Sequence, residues 1–153
     1  MIGHLQSNKA RAAADTFAMV ESVDGLSIAG ALARRARSTG KILPLLLQVN
    51  VDADPAKRGF YTGQIEAAYG QVAALEGIRV AGLMTIGFQA PSAAAARPSF
   101  AALRELRDRL DRQGVAPPLT HLSMGMSSDF EVAIEEGATI VRVGKALFSY
   151  ESR

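Results

Sequence analysis

Arg142 is a residue around which a binding site could be built. It closes an apolar strand pattern, Thr139-Ile140-Val141-Arg142-Val143, and is followed at once by Gly144-Lys145. A guanidinium is always charged, so at a strand end it either pairs with a carboxylate such as Glu21 or faces a ligand ring or anion as a fixed cation. Gly144 lets backbone approach an anion, and the N–H groups of the helix start that follows can hold phosphate. A second strand-to-helix turn, Leu122-Ser123-Met124-Gly125-Met126-Ser127-Ser128, offers three hydroxyls and a glycine. Two such turns in neighbouring units match the phosphate site that barrels often build from their last two βα loops. Ordinary turns and helix caps use the same small residues, so both readings stand.

In parallel α/β folds ligands bind at the C-terminal ends of strands. The residues expected there are His4 with Gln6 and Asn8, Glu21 with Ser22, Asn50, Met84 with Thr85, Ser123, and Arg142 with Gly144. The set holds no pair of carboxylates suited to acid–base hydrolysis and a single histidine, so a three-ligand zinc site is not expected. His121, between Thr120 and Leu122, is expected to be a packed, hydrogen-bonded strand residue. Lys9 is expected in the first turn of a helix, solvated, where an amine keeps its high pKa and is a poor nucleophile. Neither a G-x-G-x-x-G after a strand nor a G-x-x-x-x-G-K-[ST] occurs.

The elements that must position these residues alternate short apolar runs with segments of helical period. Strands are expected near 2–4, 17–22, 43–51, 79–86, 119–123 and 139–143, and helices near 7–14, 26–38, 61–75, 98–113, 127–136 and from 145 onward. The clearest helix is 98–113, where Phe100, Leu103, Leu106 and Leu110 form one stripe, closed by Gly114 and Pro117. Ser128 and Glu131 have the spacing of a capping box, with Gly137 ending that helix. Leu43 to Val51 is almost continuously apolar, as in a strand covered on both faces. The segment Ala90–Pro98 reads as a surface loop or a helix lead-in. About six βα units in succession imply parallel strands joined by right-handed crossovers.

Composition sets outer bounds. The 153 residues are 48% hydrophobic and 21% charged, which argues for one packed domain and against disorder. No apolar run reaches the roughly 20 residues of a membrane helix. Met1-Ile2-Gly3-His4 lacks the basic n-region and apolar h-region of a signal peptide, and the expected compartment is the cytoplasm. Zero cysteines remove disulfides and thiolate chemistry. Net charge is only +2, and the Arg34-Arg35-Ala36-Arg37 run falls on an amphipathic helix, so a solvated face is expected rather than a nucleic-acid stripe.

Read in order, several segments carry a family resemblance. They are Ile2-Gly3-His4-Leu5-Gln6-Ser7-Asn8-Lys9, Val20 to Asp24, Gln48-Val49-Asn50, Gly82 to Gly87, Leu122 to Phe130, and Glu135 to Gly144. Together, across essentially the whole chain, they resemble the pyridoxal phosphate homeostasis proteins, single-domain relatives of the alanine racemase barrel. The resemblance implies an α/β fold, a (β/α)8 TIM-type barrel holding pyridoxal 5′-phosphate at the C-terminal strand ends. It implies a carrier that buffers the cofactor and affects amino-acid and keto-acid balance, without defined turnover chemistry.

Carried over, Arg142 would face the pyridine nitrogen and keep it unprotonated, which weakens the ring as an electron sink. The backbone of Gly144 and Lys145, with the Ser123 hydroxyl, would hold the phosphate. Asn50 and Met84 would line the ring, with His4 and Asn8 on the rim. In the family the Schiff-base lysine precedes the Ile-Gly-His-Leu-Gln motif. None of Lys9, Lys41, Lys57 and Lys145 matches it, so no catalytic residue is assigned. At roughly 30 residues per unit, the expectation is an incomplete barrel without its first two βα units and without the covalent anchor. The alternatives are a fragment that self-associates through the open edge of its first strand and, more weakly, a racemase-like enzyme. The intact family form is expected to be a monomer, with no nucleic-acid or membrane partner.

Overall fold

The computed structural model describes residues 1–87, 91–114 and 118–148. Among them a parallel sheet runs in the order β1-β2-β4-β5-β6, with β3 beside the end of β2. The strands are β1 (Val20–Val23), β2 (Leu43–Asn50), β3 (Phe60–Tyr61), β4 (Ile78–Met84), β5 (His121–Met126) and β6 (Ile140–Arg142). The helices are α1 (Ala10–Thr16), α2 (Leu26–Ser38), α3 (Ile65–Ala73), α4 (Ala93–Arg112), α5 (Phe130–Glu135) and α6 (Lys145–Phe148). The result is a parallel half-barrel. No described helix is long and apolar enough to cross a membrane.

Alternation along the strands divides the apolar residues between two faces. Leu43, Leu45, Leu47 and Val49 of β2 share one cluster with Ala29 and Leu32 of α2 and Leu103 and Leu106 of α4. Leu46 points the other way, into a smaller cluster with Ala81 and Met84, flanked by Met19 and Ile140. The first face carries the helices; the second is the barrel interior. Ser123 lies between Leu122 and Met124, both on the helix side, and so projects inward.

Four sequence expectations change. Residues 2–4 form no strand, although Met1 O accepts a hydrogen bond from Glu21 N at 2.8 Å and Gly3 O one from Ser22 Oγ at 2.6 Å. The segment thus lies along β1 without building a ladder. The expected helix 61–75 gives its first residue, Tyr61, to β3, where it pairs with Asn50, and the helix begins at Ile65. The helix expected from 98 begins at Ala93, where Ser92 Oγ accepts from Ala95 N at 3.3 Å. A run of alanines propagates it past Pro98, which can give no hydrogen bond to the turn before. Ser128 does not cap α5. The N-cap is Asp129, whose Oδ1 accepts from Met126 N at 2.6 Å, tying the helix start back to β5. The expected stop at Pro117, the Ala90 end of the Ala90–Pro98 segment, and the chain past Phe148 lie outside the described residues.

Candidate functional site

The interior face carries a polar network drawn from four strands. Arg142 Nη1 donates to Ser123 Oγ at 2.7 Å, and Nη2 donates to the Thr85 carbonyl at 2.7 Å. The Ser123 hydroxyl in turn donates to Glu21 Oε2 at 2.6 Å. In a flat sheet Glu21 on β1 and Ser123 on β5 would stand about 14 Å apart, three strand spacings of about 4.8 Å. The direct hydrogen bond requires the sheet to curl, and the barrel curvature performs this convergence.

Both readings of Arg142 meet in this geometry. Its charge is balanced by Glu21, but through the Ser123 hydroxyl rather than by a direct salt bridge. Burial pushes the guanidinium below the ordinary arginine range, and the charges of Glu21 and Asp129 oppose that. The group remains a cation at any physiological pH. Its two hydrogen bonds fix the plane of the guanidinium, leaving other N–H donors of the fork to meet a ligand. Gly144 follows within two residues, and nothing lies within 4 Å of where its Cβ would stand. Its carbonyl caps α6, accepting from Leu147 N at 2.9 Å.

Of the other expected site residues, the structure brings some nearby and gives others different work. Met84 is fully buried in the interior cluster. Asn50 is also buried, but its amide is committed to the β2–β3 loop: Nδ2 donates to Asp54 O at 2.7 Å, and Oδ1 accepts from Asp54 N at 3.1 Å. His4 stands exposed at the mouth, Nδ1 at 3.1 Å from Asp24 Oδ2. It lines a cavity of about 270 Å³ with Gln48, Ala56, Lys57, Arg58 and Ile86. Asn8 and Lys9 are exposed on a 3-10 turn over Ser7–Lys9. Lys145 is exposed at the start of α6. His121 opens β5, with Nδ1 at 3.3 Å from Thr139 Oγ1. On α2, Arg35 makes two hydrogen bonds to Asp15 and Arg37 pairs with Glu76, so part of the basic run is tied to neighbouring elements.

Thr85 is one of the expected strand-end residues, but the group it contributes is its carbonyl, which carries no residue-type signal. Two further contributors have no role in the sequence reading. Gln48, read only within a motif, holds the loop by donating to Arg58 O at 3.1 Å. Asp24 orients His4, and its place beside His4 follows from the path of residues 1–5 along β1.

Comparison with known proteins agrees with this architecture. The sequence pattern of the family "Alanine racemase, N-terminal domain" matches residues 1–152. A pyridoxal phosphate homeostasis protein of Aquifex aeolicus is 42% identical over 148 residues, covering 96% of this chain and 64% of its own length. One from Synechocystis sp. is 38% identical over 96% of this chain and 67% of its own. The chain therefore spans about two thirds of these relatives. Among solved structures, PipY of Synechococcus elongatus PCC7942 with PLP bound superposes with a TM-score of 0.87 at 39% identity. It covers 96% of this chain and 68% of that one.

Proposed function

The chain belongs to the alanine racemase N-terminal-domain family, among the pyridoxal phosphate homeostasis proteins, and on that premise we propose that it binds pyridoxal 5′-phosphate on the interior face at the C-terminal strand ends. The single observation that carries the reading is the Arg142 guanidinium, fixed by Ser123 and the Thr85 carbonyl inside the half-barrel. The groups present fit the cofactor: a fixed cation for the ring, a hydroxyl beside it, and a glycine with open space leading into a helix start.

Bound, the cofactor supplies an aldehyde that reacts with amines and a ring that acts as an electron sink. Arg142 donates N–H toward the ring nitrogen and, having no acceptor of its own, keeps that nitrogen an unprotonated acceptor. Such a ring is a weak sink, which suits a cytoplasmic carrier without turnover of its own. The Gly144 and Lys145 backbone and the Ser123 hydroxyl hold the phosphate. Met84 forms the floor, Asn50 acts alongside it through the loop it ties, and His4 and Asn8 stand on the rim.

The test is equilibrium dialysis of the chain against pyridoxal 5′-phosphate. Binding to the wild type is expected, weakened about tenfold or more in Arg142→Ala through loss of charge-assisted hydrogen bonds. Equal binding by both proteins would remove Arg142 from the site.

A further inference from the structure

We propose that Glu21 is an internal anion of this site, a specificity-determining residue whose carboxylate an anionic ligand must displace. The inference rests on the interior face being the site of a phosphate-bearing cofactor, and it concerns what that phosphate competes with. A serine hydroxyl has one proton to give and lone pairs to accept with. At Ser123 the lone pair takes Arg142 Nη1 at 2.7 Å, and the proton goes to Glu21 Oε2 at 2.6 Å. A phosphate dianion only accepts hydrogen bonds, so the one thing it can take from the Ser123 hydroxyl is the proton that Glu21 holds. The two anions also repel in a partly buried setting, where water screens poorly.

Glu21 is suited to this part by position. It is half-buried on the short strand β1 and reaches Ser123 across 102 residues of sequence by the curl of the sheet. It satisfies Arg142 through a single bridging hydroxyl, and a ligand's phosphate can replace it as counter-charge. The consequence is selectivity by charge. A ligand without a strong anion leaves Glu21 in place and gains nothing from Ser123, whereas a dianion takes the Ser123 proton and replaces Glu21 as the counter-charge near Arg142.

Glu21→Gln keeps the side-chain length and an oxygen that can accept from Ser123, and it removes the charge. Three probes are titrated by calorimetry against both proteins: pyridoxal 5′-phosphate, inorganic phosphate and pyridoxal. The two phosphate-bearing probes are expected to bind the variant about fivefold tighter, and pyridoxal to change by less than about twofold. In a Ser123→Ala background, where the contested proton is gone and only the repulsion between the two anions remains, the gain should be smaller than in the wild-type background. Unchanged or weaker phosphate binding overturns the proposal, and so does an equal gain for pyridoxal, which would mark a change of pocket shape. Wild type that binds pyridoxal 5′-phosphate beside a variant that binds it equally well defeats the role of Glu21 alone. Wild type that binds no probe, while the variant takes inorganic phosphate, defeats the cofactor reading and leaves Glu21 as the internal anion. Silence from both proteins defeats both.

Discussion

Gly82 shows how closely backbone positions control this site. A Cβ there would stand 2.0 Å from the His121 carbonyl oxygen, a collision with backbone rather than with a flexible side-chain end. Gly82 is in register with His121, and two residues on Met84 is in register with Ser123. Pushing β4 and β5 apart at Gly82 therefore disturbs Ser123 directly. Gly82→Ala is expected to cost about 3 kcal/mol or more of stability, at the high end for overpacking because neither strand can yield independently. Urea unfolding measures it, and a change below about 1 kcal/mol would show that the strands separate easily. At this scale the sequence was most informative where a residue type contradicts its setting. Arg142 ending an apolar strand and Ser123 within one were visible for that reason. Glu21 was visible only as a partner among several, because its hydrogen bond to Ser123 depends on sheet curvature, which no local spacing encodes. Asn50 was read as a ring-lining group, yet its amide holds Asp54, because a buried side-chain amide bonds whatever backbone its own loop brings round.

Between elements, a cluster of ion pairs joins α4 to α5. Arg97 pairs with both Glu135 and Glu136, and Arg104 Nη1 reaches Glu136 Oε2 at 2.5 Å. The hydrogen bond from Arg97, together with the charges of Arg104 and Arg97, holds the Glu136 carboxyl below the ordinary glutamate range against the opposing effect of burial. A carboxyl lowered by folding adds stability that is complete above its unfolded pKa and fades as pH falls through its folded value. Thermal unfolding followed from neutral pH into acid should therefore show an acid decline that is shallower in Glu136→Gln, with the two curves converging at the lowest pH. Parallel curves would mean that the pair contributes no pH dependence, and added salt should narrow the gap. The helices also show what periodicity can and cannot supply. The limits of α2 match the expected 26–38, because Ile28, Leu32 and Ala36 recur on one face. The start of α4 was misplaced because proline reads as a boundary, whereas here a serine cap and four alanines establish the helix before Pro98 is reached.

Across the whole molecule, the best-buried strands lie inside the sheet, and Arg142 stands on a strand at its edge. β2 is paired with β1, β4 and β3, and its residues from Leu45 to Asn50 are buried. β6 has three half-buried residues and pairs, among the described residues, with β5 alone. Leu147 and Phe148 of α6 after it are 71% and 84% exposed, so little apolar burial anchors this end. Local opening follows burial and hydrogen bonding. Native-state amide exchange should therefore be slowest in Leu45–Val49 and Val80–Leu83 and markedly faster in Ile140–Arg142. Arg142 belongs to the loosely held end and is tied down by Ser123 and the Thr85 carbonyl. A ligand that binds Arg142 adds its binding energy to the folded state, and the gain shows where opening of β6 releases the ligand. Pyridoxal 5′-phosphate should thus slow exchange at β6 in proportion to its concentration, and at β2 by a similar factor, because both openings pass through a state that has released the ligand. Protection rising at β2 and not at β6 would mean that β6 opens with the ligand still bound. No change at β6 at saturating cofactor would place the ligand somewhere other than Arg142.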